Sequence, residues 1–160
     1  MTIRALPRPL SAALLVCLLP GVALADRTPA NLKAFRSVCV NAGFEEQGKE
    51  NEAIRTRLIE RLYSALERAR ITAAESPCQD KGLTSARQLN LYFDFTSTQD
   101  GKTFNAVLDG WLKKEGVYAS PTLWQDNIFG SMNAGGGALE AADALDELVA
   151  GFVKDWQGSR

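Results

Sequence analysis

The stretch RQLNLYFDFTSTQDGKTFNAVLDGWL, residues 87–112, carries the strongest β-strand pattern of the sequence and decides the expected fold. Apolar residues alternate with polar ones from Leu89 to Thr96, as in a strand with one buried face and one solvated face. The Asp-Gly dipeptide at 100–101 favours a hairpin turn, and the alternation resumes at Phe104. The stretch therefore predicts a β-hairpin.

A strand, a helix and a short return strand are predicted on the N-terminal side of this hairpin. Residues 33–44, KAFRSVCVNAGF, predict a short and largely buried strand, and residues 43–48 predict a polar turn. A return strand near residues 71–74 would complete a right-handed parallel crossover. The helix is predicted over residues 51–71 with Asn51 as its N-cap, because apolar residues recur every three or four positions, at Ile54, Leu58, Leu62, Leu66 and Ala69.

A further strand and a second helix are predicted on the C-terminal side. Residues 117–132 contain Pro121, which favours an edge strand or a strand broken in two. A second amphipathic helix follows, with a predicted apolar stripe of Leu139, Ala142, Leu145, Val149, Phe152 and Trp156. The order β-α-(β)-β-β-β-α predicts an α+β fold, in which two amphipathic helices pack on one face of a mainly antiparallel sheet.

Residues 1–25 have the parts of a cleavable signal peptide. Two arginines precede an apolar run, LSAALLVCLL, at residues 10–19. Small residues then occupy the −3 and −1 positions of a cleavage site, at Ala23 and Ala25. The exported chain is therefore expected to begin at Asp26.

Two other outcomes for this N-terminus are less favoured. An uncleaved membrane anchor would need an apolar run of about 20 residues, and the run here is shorter. Lipid attachment at Cys17 would need a small residue before it, and the sequence has Val16. We therefore expect a periplasmic or secreted protein that has no stable membrane span once the leader is removed.

Residues 26–160 are expected to form a single α+β domain. Removal of the leader from the 160-residue chain leaves 135 residues, and the two leader arginines leave with it, so 16 basic residues face 19 acidic ones. The resulting net charge of −3 argues against a nucleic-acid partner, which requires a clustered excess of Lys and Arg.

Carboxylates are the remaining candidates for chemistry, because the sequence contains no His. Catalysis by Ser-His-Asp or Cys-His groups is thereby excluded. Two acids on neighbouring strands would give a glycosidase-like pair. However, sequence spacing does not set their separation, so no catalytic residue is assigned. The candidates are Asp94, Asp109, Glu115 and Asp126.

The glycine run NAGGG, residues 133–137, precedes the second helix. Glycines at a helix start can cradle a phosphate, but the sequence has neither GK[ST] nor GxGxxG. Close packing of the helix on the sheet, or a flexible linker, is the favoured interpretation. No cofactor and no metal is predicted.

Two cysteines, Cys39 and Cys78, remain after removal of the leader. Export would place them in an oxidising compartment, which favours a disulfide between them. A bond that closes a loop of this length would stabilise the domain by about 4 kcal/mol in the chain-entropy model. The alternative is a pair of buried thiols.

Three aromatic residues, Trp111, Tyr118 and Trp124, cluster in and after the hairpin. If exposed, they would form a partner surface for a sugar or a peptide. The favoured alternative is that Trp111 and Trp124 cap the core, because tryptophan is usually well buried.

The leader, the strand–helix–hairpin order and a tail of the form LW…FGSM…GGG…ELVAGFVKDW (residues 123–156) resemble small exported bacterial proteins of unassigned function. The architecture is similar to small periplasmic envelope accessory domains. This resemblance implies a non-catalytic role in envelope assembly or transport, and it implies no particular functional residue.

The expected function is that of an exported, non-catalytic binding or accessory module of the bacterial cell envelope. Such a module would dock a protein partner through a sheet edge or an aromatic patch. Two alternatives remain, a small carboxylate-dependent hydrolase and an inhibitor of an extracytoplasmic enzyme.

Overall fold

A computed structural model describes residues 27–74, 88–112 and 122–160. These residues form a six-stranded sheet and two long helices, which confirms the α+β class. A short 3-10 helix, Pro29–Leu32, precedes the first strand. The strands are β1 (Ser37–Glu46), β2 (Lys49–Glu50), β3 (Ala73–Ala74), β4 (Gln88–Ser97), β5 (Thr103–Trp111) and β6 (Thr122–Ser131), and the helices are α1 (Glu52–Arg68) and α2 (Gly137–Gly158).

The sheet is mixed, with strand order β2-β1-β4-β5-β6, and β3 pairs with β1 off this path. Strands β1–β2, β4–β5 and β5–β6 pair antiparallel. Strand β1 pairs in parallel with β3 and with β4. The predicted hairpin is confirmed as β4–β5, and the predicted return strand is confirmed as β3. Helix α1 thus connects β1 to strands that run beside it in the same direction.

The predicted turn at residues 43–48 is wrong in its position. Strand β1 continues to Glu46, and the chain reverses at Gln47 and Gly48, whose φ angles are 55° and 74°. Two consecutive positive φ angles are the geometry of a tight two-residue hairpin loop. The loop lacks the Asn-Gly or Asp-Gly signal that marks such turns, so the β1–β2 hairpin was not expected.

Helix α1 forms where its apolar spacing predicts. The Asn51 side chain accepts a hydrogen bond from the Ile54 N–H at 3.2 Å, which confirms Asn51 as the N-cap. Leu58, Leu62 and Leu66 are buried against the sheet. Among the residues described, no helix has the length and apolar character that a membrane span requires.

Helix α2 confirms only part of its predicted apolar stripe. Leu145, Val149 and Phe152 are buried, but the Leu139 side chain is 66% exposed. The buried face instead begins with the small residues Gly137 and Ala141, and Ala141 lies about 200° around the helix from Leu139. Leu139 therefore points away from the sheet.

The apolar core lies between the helices and one face of the sheet. Alternating residues of β1, β4 and β5 point into it, and they include Val40, Leu91, Phe93 and Leu108. Strand alternation places the intervening side chains on the opposite face, and most of these are polar. We call this second surface the polar face.

Candidate binding site on the polar face

The polar face is rich in side chains that donate or accept hydrogen bonds. Amides, carboxylates and aromatic rings follow one another across four strands. Such side chains are suited to holding a polar ligand by several directional contacts. Its members are Asn41, Glu45, Asn90, Tyr92, Asp94, Thr96, Asn105, Asp109, Trp111, Gln125, Asn127 and Phe129.

Three of these side chains meet at the junction of β4 and β5. Tyr92 lies directly opposite Asp109 in the antiparallel register, and Asp94 lies opposite Val107. The two carboxylates are therefore diagonal neighbours, a relationship that places residues about 7–8 Å apart. The structure thus brings together two of the four acids that the sequence singled out.

Gly43 makes room for this cluster on the neighbouring strand. It pairs with Asp94 across the parallel β1–β4 ladder. A Cβ atom at Gly43 would collide with the Asp94 carboxylate and the Tyr92 hydroxyl. Because glycine has no side chain, both groups lie directly over the β1 backbone.

Burial perturbs both carboxylates. Burial raises the pKa of Asp109, and the negative charge of Asp94 raises it further. Burial also raises the pKa of Asp94, while a hydrogen bond from the Thr96 hydroxyl at 3.5 Å opposes that shift. The Asp109 Oδ1 atom is buried and accepts no hydrogen bond. The site therefore holds an acceptor that no group in the described segments satisfies.

Arg55 borders the cluster from α1. Its Nε donates to the Ala42 carbonyl at 2.8 Å, and its NH2 donates to the Asn41 Oδ1 at 3.0 Å. Burial raises the pKa of the Tyr92 phenol, and Asp94 raises it further, whereas the positive charge of Arg55 lowers it. The Arg55 guanidinium is thus held by hydrogen bonds to β1, beside the cluster of Tyr92, Asp94 and Asp109.

A cavity of about 300 Å³ lies between this part of the polar face and the start of α1. Its walls carry four carboxylates, from Glu45, Glu50, Glu52 and Asp94, against the single cation Arg55. This negative balance favours a ligand that is cationic or rich in hydrogen-bond donors. No group of three or more His, Cys, Asp or Glu side chains suited to a metal ion occurs in the described segments.

The other two candidate acids lie elsewhere. Asp126 accepts a hydrogen bond from Arg27 at 3.1 Å and another from the Asn127 N–H at 3.0 Å. It is therefore held by the protein's own groups at the edge of the sheet. Glu115 lies outside the described residues.

The three aromatic residues that the sequence grouped also lie in different places. Trp111 is half-buried on the polar face. Trp124 is fully buried, with its ring edge-on to Phe152 at a centroid distance of 5.1 Å. The favoured interpretation is confirmed for Trp124, which belongs to the core, so this residue is not part of a partner surface. Tyr118 lies outside the described residues.

Both edges of the sheet are partly occupied by the chain itself. Strands β2 and β3 pair with the two ends of β1, and Arg55 bonds the Ala42 carbonyl between them. At the other edge, the Asn31 side chain donates to the Leu123 carbonyl of β6 at 2.8 Å. Groups that occupy edge backbone positions discourage addition of another strand. The polar face is therefore better suited to a partner than either edge.

The glycine run before α2 serves packing. The Gly137 N–H donates to the Glu46 carboxylate at 3.0 Å, so an internal carboxylate occupies the start of the helix. A Cβ atom at Gly137 would lie 2.7 Å from the Glu46 carboxyl carbon. This arrangement supports the close-packing interpretation rather than a phosphate site.

Sequence reasoning missed Gly43, Asn41 and Arg55 as parts of the site. Their proximity to Asp94 depends on the parallel pairing of β1 with β4, which no local pattern indicates. The sequence did contain a signal for Tyr92. It lies two residues before Asp94 in the same predicted strand, so both side chains are on the same face of the sheet.

No family model matches this sequence, and a search of curated proteins finds no significant relative. The function must therefore be inferred from the chemistry of the site.

Proposed function

We propose that this chain is an exported, non-catalytic binding module of the bacterial cell envelope, and that its polar face binds a positively charged segment of a protein partner. One observation carries the proposal, the buried Asp109 Oδ1 that accepts no hydrogen bond. An unsatisfied buried acceptor costs about 1–3 kcal/mol. A ligand donor would remove that cost, and because the atom is buried, the side chains over it must move for the donor to reach it.

The charge around the cluster supports a cationic ligand. Asp94 and Asp109 lie on adjacent strands, and Glu45 and Glu50 lie along the same side of the neighbouring cavity. A Lys or Arg side chain placed between the two aspartates would lower both raised pKa values towards their ordinary range, because an opposite charge favours the ionised carboxylate.

The exported location is supported by the predicted signal peptide, whose cleavage site at Ala25 lies outside the described residues. The proposed Cys39–Cys78 disulfide has a structural argument in its favour. Cys39 is buried in β1 and lies opposite Ala74 of β3 in the parallel register. Cys78 lies outside the described residues, and in the sequence it follows Ala74 by four residues, a spacing that a bond to Cys39 can span.

A titration with a short oligolysine peptide tests the binding surface. We expect amide NMR shifts confined to residues 41–46, 90–96 and 105–111, together with the start of α1, which borders the cavity. We also expect Asp94→Asn and Asp109→Asn each to weaken binding about tenfold, since a hydrogen bond to a charged group contributes about 1.5–3 kcal/mol. Glu67→Gln, at an exposed carboxylate on α1, is the matched control. Equal effects of all three substitutions, or shifts confined to α2, would refute the proposal.

The pH dependence gives a second readout. The folded-state pKa of Asp109 is raised, so its ionisation destabilises the fold as the pH rises from the unfolded pKa to the folded pKa. Asp109→Asn is therefore expected to raise the melting temperature by about 3 °C above that window. The substitution should leave the melting temperature unchanged below the pKa of an aspartate in the unfolded chain, about 3.9. A substitution that strengthens the fold while weakening peptide binding would identify Asp109 as a binding residue rather than a structural one.

A carboxylate-dependent hydrolase is a second candidate, favoured by one observation. Asp94 and Asp109 are neighbouring acids whose pKa values are both raised, and acid–base hydrolysis uses a protonated acid beside a carboxylate. A panel of nitrophenyl glycosides and esters distinguishes the two functions. Turnover that is lost in Asp109→Asn would establish an enzyme. Absence of turnover together with oligolysine binding would support the binding module.

A further inference from the structure

We propose that two copies of this chain associate through the outer surface of the helices, with α1 of each copy facing α2 of the other. The starting observation is a groove of about 590 Å³ between α1 and α2. Apolar side chains of Ile54, Leu58, Ala138 and Ala142 line its floor. This surface is separate from the polar face, and the inference goes beyond the proposed binding function.

The α1 side of the groove is basic. Arg57, Arg61 and Arg68 line it, accompanied by Glu60. Arg61 is fixed by a two-pronged ion pair to Asp146, with N–O distances of 2.7 Å and 2.6 Å. In the part of the chain that the structure describes, Arg57 and Arg68 have no ion pair.

The α2 side presents the complementary chemistry. Asp143 and Glu147 are exposed on its outer surface, and neither forms an ion pair within the described segments. Leu139 is exposed beside them, and it is one of the two large apolar side chains exposed in the described residues. One helix therefore offers unpaired cations, and the other offers unpaired anions with an exposed leucine.

The two helices run in the same direction and are in register. Ile54 lines the groove with Ala138, and Arg61 is bonded to Asp146. A smaller cavity at the far end is lined by both Arg70 and Trp156. A position on α1 is thus level with the position about 85 residues later on α2, as the Arg61–Asp146 pair shows.

A rotation of 180° about an axis parallel to the helices keeps every residue at the same height along that axis. It also places α1 of one copy against α2 of the other. Leu139 then faces Ile54 of the second copy, because both lie at the same level. Asp143 likewise faces Arg57 of the second copy. Two-fold symmetry repeats each contact, so both the apolar and the ionic complementarity occur twice. The same chain therefore supplies both halves of a matched interface, which favours a second copy as the occupant of the groove.

The oligomeric state tests the proposal. Light scattering after size exclusion, at low salt and over a range of concentrations, is expected to give twice the mass of one chain for the mature protein. Arg57→Glu and Asp143→Arg should each weaken association by about tenfold or more, since each creates two like-charge contacts. Lys102→Glu, in the exposed turn between β4 and β5, is the control and should remain dimeric.

An equimolar mixture of Arg57→Glu and Asp143→Arg gives the decisive result. The mixed dimer contains one original pair and one reversed pair, so it should form although neither variant associates alone. Circular dichroism checks that each variant is folded. A monomeric wild-type protein at every concentration, or a mixture that remains monomeric while both variants are folded, would overturn the proposal. Asp109→Asn should dimerise normally, so failure of this interface is distinguishable from failure of the polar-face proposal.

Discussion

The Asp155→Ala substitution should destabilise the domain strongly, because Asp155 joins three distant parts of the chain. Its side chain lies on α2, and the residue is only 9% exposed. One oxygen, Oδ2, accepts a hydrogen bond from the Trp124 indole at 3.0 Å and another from the Arg27 Nε at 3.0 Å. Trp124 is fully buried, so its N–H has no access to water once this acceptor is removed.

The expected loss follows from these two bonds. An indole N–H left buried without a partner costs about 1–3 kcal/mol. The Arg27 side chain is 37% exposed, so solvent screening reduces the contribution of its ion pair to about 1 kcal/mol. The free energy of unfolding should therefore fall by about 3 kcal/mol, which lowers the melting temperature of a domain of this size by about 10 °C.

Asp155→Asn separates the two contributions. This substitution keeps an amide oxygen that accepts the hydrogen bond from Trp124 and removes only the negative charge that pairs with Arg27. The free energy of unfolding should therefore fall by about 1 kcal/mol. Gln157→Ala, also on α2 but exposed, should stay within about 0.5 kcal/mol of the wild type. Chemical denaturation of the three variants measures these differences. Equal losses of stability for Asp155→Ala and Asp155→Asn, or a loss in Asp155→Ala no larger than in Gln157→Ala, would refute the reasoning.

The pH dependence of stability in the same variants tests whether the ionised form of Asp155 stabilises the fold. Burial acts to raise the pKa of Asp155, but hydrogen bonds from Arg27 and Trp124 outweigh it and the pKa is lowered. The ionised carboxylate therefore stabilises the fold above its unfolded pKa, and this contribution is lost as the pH falls through the lowered folded pKa. The stability difference between wild type and Asp155→Asn should vanish at that acid limit.

Three further predictions concern the core, the cysteines and the N-terminus. Leu62→Asp should unfold the domain, because it places an unpaired charge in the core, whereas Glu67→Ala on the exposed side of α1 should leave the melting temperature unchanged within about 2 °C. Reduction should lower the melting temperature by several degrees if Cys39 and Cys78 are bonded, and titration of two free thiols in the native protein would contradict the bond. Intact-mass analysis of the exported protein should give a chain that begins at Asp26, and a retained leader would show that the signal-peptide prediction is wrong.

The sequence by itself determined the elements whose patterns are local. The i, i+3, i+4 spacing around Leu62 predicted α1, and Asn51 marked its start. The alternation from Leu89 predicted β4, including which of its residues face the core and which face the polar side. These predictions succeeded because both periodicities arise from contacts that each element makes along a single face.

Features that depend on residues far apart in the chain were decided only by the tertiary structure. The parallel pairing of β1 with β4 places Gly43 under Asp94, and nothing near either residue indicates it. The hydrogen-bond acceptor of the Trp124 indole is likewise Asp155, 31 residues further along the chain, and no local pattern indicates this pairing. A strand's pattern identifies its two faces but not its neighbours, because register and pairing are selected by packing over the whole core.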